Sequence, residues 1–110
     1  MAEEEKLTEK QKKRVIYNRN YYATRRLRIY GLSQDQFDDM VAVQNGACAI
    51  CNTTEPEGYG NTFHVDHCHE TGVVRGLLCQ RCNTGLGLFR DDTAALLRAV
   101  EYLSAPRTIH

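Results

Sequence analysis

The sequence predicts a small, mostly helical α+β fold, and three observations predict it. Residues about 7–30 and "DDTAALLRAVEYLS" near the C-terminus read as helices. Between them, "NTFHVDH" and "GVVRGLLC" alternate and carry β-formers on either side of "CHETG", which can turn, so they read as a β-hairpin. Two Cys-x-x-Cys pairs, Cys48/Cys51 and Cys79/Cys82, bracket that hairpin. At 110 residues one hydrophobic core is thin, and a metal, disulfides or a partner subunit would supplement it.

The first helix contains neither Gly nor Pro, and Val15, Ile16, Tyr22, Leu27, Ile29 and Tyr30 supply an apolar stripe of loose periodicity. Gly31 ends it. Ser33 and Gln36 then form a capping-box pattern opening a second helix that runs to about Gln44, with Phe37, Met40 and Val41 on one face and Asn45-Gly46 as its stop. "TTEPEGYGN" is a loop. After the hairpin, "QRCNTGLGLF" reads as a short helix or knuckle turn. In the last helix Asp91 or Asp92 is the cap, and Leu96, Leu97, Val100 and Leu103 are the stripe expected to be buried. The chain divides into a basic helical arm with a short helix, 1–46, and a hairpin core with a C-terminal helix, 47–110.

Net charge is zero, but the charge is segregated. Residues 10–30 carry eight cations and no acid: Lys10, Lys12, Lys13, Arg14, Arg19, Arg25, Arg26 and Arg28. Residues 31–74 carry seven acids and no Lys or Arg. A basic segment beside an acidic one fits polyanion binding next to a cation site, and it also fits a solvated helix face. No apolar run approaches the ~20 residues of a membrane span, and the N-terminus lacks a signal-peptide core, so a soluble, cytoplasmic protein is expected.

In that setting five cysteines favour metal over disulfides or a redox pair. Four thiolates in two knuckles suit a closed tetrahedral structural zinc. The 27 residues between the knuckles exceed a simple ribbon and leave room for the hairpin. Cys68 is left over, and so are the histidines of "HVDHCHE".

Asp66 and His67 fall at the end of the first predicted strand, and Asn83 follows the last zinc ligand. A carboxylate and an amide oxygen are hard ligands suited to Mg²⁺ or Mn²⁺. A neutral imidazole can take a proton from water. Together they read as a phosphodiester-hydrolysing site, separate from the coordinatively saturated zinc. Neighbours in a regular strand point to opposite faces, so Asp66 and His67 can share a site only if the strand ends or bends there.

The run "CAIC … HVDHCHETGVVRGLLCQRCNTGLG" resembles the recombination endonuclease VII family of phage-type Holliday-junction resolvases, which are His-Me finger (ββα-metal) nucleases related to HNH enzymes. The resemblance is close over Cys48–Gly87. It implies a zinc-stapled ββα-metal core with Cys48, Cys51, Cys79 and Cys82 on zinc, Asp66 and Asn83 on the catalytic cation, His67 as general base and His69 as an auxiliary. Cys68 stands where the family's best-known member has an acid. Leu86 stands where that member has a glutamate near the metal, with Glu70 a candidate substitute. On that reading a homodimer in the host cytoplasm is expected to act on branched or duplex DNA; the basic helix grips phosphates, Arg75 either binds a phosphate or forms a surface ion pair, and Arg81 faces DNA. An HNH-like nickase without junction preference, a non-catalytic zinc-ribbon DNA-binding protein and a zinc-stapled protein-interaction module are the alternative readings.

Overall fold

The structure is a computed structural model that describes residues 7–57 and 61–106; the acidic start of the arm, the middle of the expected loop and the last four residues lie outside the described part. In chain order the elements are α1 (Glu9–Tyr30), α2 (Gln34–Val43), β1 (His64–His67), β2 (Val74–Leu78), α3 (Gln80–Leu88) and α4 (Thr93–Ser104). β1 and β2 form a two-stranded antiparallel sheet.

Local chemistry sets the ends of the helices. Thr8 and Gln11 form a reciprocal capping box on α1, and Ser33 and Gln36 do the same on α2, so two otherwise unpaired N–H groups are satisfied at each start. Gly31 closes α1 in the left-handed region (φ 66°), and Leu32 N–H reaches back to the Arg26 carbonyl at 3.3 Å. That turn folds the chain so that Leu32 and Phe37 drop onto the hairpin. They join Val65 and Leu77 in one core cluster, with Tyr30, Met40, Val41, Phe63 and Val74 against it. Leu78 enters a second cluster with Cys48 and Cys79, against Phe63, Cys82 and Leu86. Adjacent strand residues point to opposite faces, so Leu77 and Leu78 bury the sheet on both sides. Residues from both sides of the 46/47 boundary therefore share a core.

The open edge of β2 is closed by a side chain. Gln44, just past α2, donates from Nε2 to the Leu77 carbonyl at 3.0 Å and to the Ala47 carbonyl at 2.9 Å. Its Oε1 accepts from Leu77 N–H at 2.9 Å. The amide thus pairs with Leu77 as a third strand's backbone would. Only glycine leaves it ample room: a Cβ on Gly76 would lie 3.3 Å from Gln44 Oε1.

Two expectations about the helices need correction. The α4 stripe is not buried: Leu97, Val100 and Leu103 are 66, 59 and 81 % exposed, because only the first turns of α4, around Thr93 and Leu96, reach the hairpin side. On α1, Val15, Ile16, Leu27 and Ile29 are likewise exposed. The helix docks instead through Tyr22, Arg26 and Tyr30, one face at i, i+4, i+8.

Replacing Gln44 by Met keeps the volume but strips the Leu77 N–H of its acceptor and leaves the Leu77 carbonyl with only the Ala49 N–H as donor. The expected loss is about 1–3 kcal/mol, read as a lower urea midpoint at unchanged slope.

Candidate active site and metal centre

Cys79 follows β2 directly and N-caps α3, its sulfur accepting from Cys82 N–H at 3.4 Å. Cys48 is buried beside it, accepting from Ile50 N–H at 3.4 Å, while Ala49 N–H bonds the Leu77 carbonyl at 3.1 Å. These contacts bring Cys48, Cys51, Cys79 and Cys82 together with all four sulfurs within 4.8 Å of one another. The Cys51–Cys79 separation of 3.7 Å matches the ~3.8 Å edge of a tetrahedron with Zn–S bonds of about 2.3 Å. All five cysteines are free thiols, which removes the disulfide reading. The sulfurs cannot all ionise without a cation. Burial opposes ionisation of Cys48, yet N–H donors at Cys51, Cys79 and Ile50 pull it down to about 6. Burial and the other three sulfurs push Cys82 up to about 12. A Zn²⁺ fits this donor set and would resolve that conflict. Arg81 is exposed and pairs with the Cys51 sulfur, so it borders the cysteine cluster.

The second cluster lies across the hairpin. The pairing runs His64 with Leu78, Val65 with Leu77 and Asp66 with Gly76, then skips to His67 with Val74. Arg75 is the unpaired residue of this bulge. The slip bends the hairpin where the alternation of a regular strand would part Asp66 from His67. Both line one cleft of about 240 Å³, together with His69, Asn83, Tyr30, Val65, Gly87 and Asp91. All four residues expected at the reacting site are therefore neighbours.

Asp66 is buried, and Arg75 clasps it with both arms, Nε to Oδ2 at 2.7 Å and Nη2 to Oδ1 at 3.0 Å. The same Nη2 reaches Asp91 Oδ2 at 3.2 Å. These bonds raise Arg75 above the ordinary guanidinium range. Asp91 Oδ2 also meets His69 Nδ1 at 3.2 Å. That contact and Arg75 hold Asp91 below the usual carboxylate range. The His67 ring lies 4.8 Å from that of His69 and 5.2 Å from that of Tyr30. A carboxylate offers about four acceptor sites, so Asp66 can serve Arg75 and a cation together, and Asn83 adds a neutral oxygen.

The other residues of the motif stand elsewhere. Glu70 and Cys68 line the neighbouring groove and do not line this cleft. Leu86 packs against the cysteine cluster. His64 turns toward α1, sharing a separate cavity with Arg25, Tyr22 and Asn83, and burial with Arg25 nearby holds it below the usual imidazole range. Lys10, Lys12, Lys13, Arg14, Arg19, Arg25 and Arg28 are exposed along α1. Arg26 is not among them: it is buried, its guanidinium 3.7 Å over the Phe37 ring and bonded to Gln34 at 3.0 Å, so it is spent on packing. Asp91 and Tyr30 are the members that sequence reasoning missed. The signal for Asp91 was a doubled aspartate before α4, of which the cap uses one, Asp92.

The family model for recombination endonuclease VII matches residues 23–105. The chain is 40% identical over 89 residues to the Gene 59 protein of Mycobacterium phage L5 and 39% identical over 89 residues to that of Mycobacterium phage D29. Each alignment covers 80% of this chain and 53% of the relative, so the chain spans about half the length of these curated relatives. No solved structure matches it significantly.

Cys79→Ser removes one of the four sulfurs that could hold zinc and the thiol cap of α3 together. The purified variant is expected to hold less than one zinc per chain by elemental analysis and to lose its cooperative melt, as the parent protein should on chelation.

Proposed function

The chain belongs to the recombination endonuclease VII family, and on that premise we propose that it is a metal-dependent endonuclease cutting branched DNA such as four-way junctions. The observation that carries the reading is the bulge at Arg75, which gathers Asp66, His67 and Asn83 on one cleft. A non-catalytic zinc ribbon has no use for that gathering. The unit β1–β2–α3, with the cysteine cluster behind it, corresponds in this reading to the ββα-metal core of a His-Me finger nuclease.

Asp66 and Asn83 would hold a Mg²⁺ or Mn²⁺, which supplies positive charge to the scissile phosphate and the leaving oxygen. The imidazole of His67 takes the proton from the attacking water. Arg75 fixes Asp66 within the cleft, and its planar fork suits a phosphate oxygen as well as a carboxylate. The seven exposed cations of α1 grip backbone phosphates without reading bases, as recognition of DNA shape requires. Asn83 and Tyr30 line both the cavity beside Arg25 and the reacting cleft, so the basic helix adjoins the chemistry.

The exposed stripe of Leu97, Val100 and Leu103 supports a homodimer. A symmetric pair supplies the two opposed cuts that a junction needs. In sedimentation, Leu97→Asp combined with Leu103→Asp is expected to convert a dimeric protein into a folded monomer.

The decisive assay compares a four-way junction with matched linear duplex, in Mg²⁺ and in EDTA. His67→Ala is expected to lose at least ~100-fold in cleavage while zinc content and junction binding stay intact. Undiminished cutting by His67→Ala would sink the assignment. Equal cutting of both substrates by the parent protein would make it a nickase without junction preference.

A further inference from the structure

We propose that Asp91 is a positioning residue of the cleft: its carboxylate locks His69 in the Nδ1–H tautomer and leaves Nε2 as the ring's free acceptor. The contact is His69 Nδ1 to Asp91 Oδ2 at 3.2 Å. An ionised carboxylate can only accept, so the proton belongs on Nδ1. Hydrogen bonds from His69 and Arg75 keep Asp91 ionised.

The backbone is bent to make this contact. Arg90 and Asp91 both adopt left-handed conformations (φ 55° each), which is rare for two successive residues other than glycine. The turn is held by Arg90 N–H to the Gly87 carbonyl at 2.9 Å, Asp91 N–H to Leu86 at 3.0 Å and Asp92 N–H to Phe89 at 3.0 Å. It ends α3 and aims Asp91 back at the hairpin while Asp92 caps α4. Strain of this kind is retained where a side chain must be aimed. Asp91 Oδ2 serves Arg75 Nη2 as well, so one oxygen fixes the groups on both of its sides. His67 has no carboxylate bonded to its ring among the described residues. The two neighbouring imidazoles are thereby made unequal: one is held by a carboxylate, the other is free to turn toward water.

The role of the ring in cleavage rests on the nuclease reading; its tautomer does not. The test uses the zinc-loaded protein, labelled with nitrogen-15, at a pH about two units above the ordinary imidazole value of ~6.5. Long-range proton–nitrogen correlations should show His69 as Nδ1–H in the parent protein. Asp91→Gly removes the carboxylate at a φ that glycine favours and should return His69 to the Nε2–H form common in free imidazole. Asp91→Asn keeps an accepting oxygen and should retain Nδ1–H. In the cleavage assay Asp91→Gly should lower kcat about 10-fold with KM for DNA little changed, and Asp91→Asn should recover most of the loss. An Nε2–H ring in the parent, or a ring unmoved by Asp91→Gly, overturns the proposal, as does an unaltered kcat. The ring signals are read without substrate, so they succeed or fail independently of the His67→Ala test of the reaction itself.

Discussion

A single unpaired residue between two short strands governs the arrangement of this molecule. In a regular antiparallel pair a shift of one residue moves every later side chain to the other face of the sheet. Here the shift falls between Asp66 and His67. Before it, Val65 and Leu77 alternate into the core as a flat hairpin requires. After it, His67 lines the same cleft as Asp66. The bulged residue is Arg75, and its guanidinium returns to clasp Asp66. The same irregularity thus brings the carboxylate and the imidazole together and supplies the cation that stabilises a buried carboxylate.

A bulged hairpin of four and five residues does not hold itself together in water. It is held at three places, each with a different chemistry. Leu77 and Leu78 bury opposite faces in two apolar clusters. Gln44 satisfies the exposed backbone edge at Leu77. The cysteine cluster ties the end of β2 and the start of α3 to the segment before β1. The last tie accounts for the 27-residue spacing of the knuckles: the cysteine cluster closes around the hairpin, so the spacing measures what is enclosed.

How legible this was in the sequence depended on the range of the interaction. The stop of α1 and the cap of α2 are local, and Gly31, Ser33 and Gln36 announce them. The cysteine pairs and the Asp66–His67–Asn83 set are also local motifs, readable with the resemblance they carry. The exposed stripe on α4 was misread because periodicity shows that a face is apolar, not what covers it. Arg26 was grouped with the other cations of α1, yet the turn at Gly31 sets Phe37 under it. A doubled aspartate before a helix offers two candidate caps, Asp91 and Asp92. Only the left-handed turn after α3 decides that Asp92 caps while Asp91 reaches back across the chain to His69. Gln44 gave no signal at all: its partner is 33 residues away, on the edge of a strand.

The charge segregation seen along the chain takes on a spatial meaning in the fold. α1 carries the cations, but its docking face is Tyr22, Arg26 and Tyr30, and that face spends one arginine on packing. Burying Arg26 against Phe37 opposes its charge, partly offset by Asp38. The burial fixes the rotation of the helix about its axis, since positions four apart must then face the hairpin. With Arg26 inward, Arg25 falls beside His64 and Asn83, and Asn83 also lines the cleft of Asp66 and His67. The remaining cations stay in solvent. A helix docked through a purely apolar stripe would carry no such orientation. In the proposed reaction that orientation leads a phosphate backbone lying on α1 toward Asn83, Asp66 and His67.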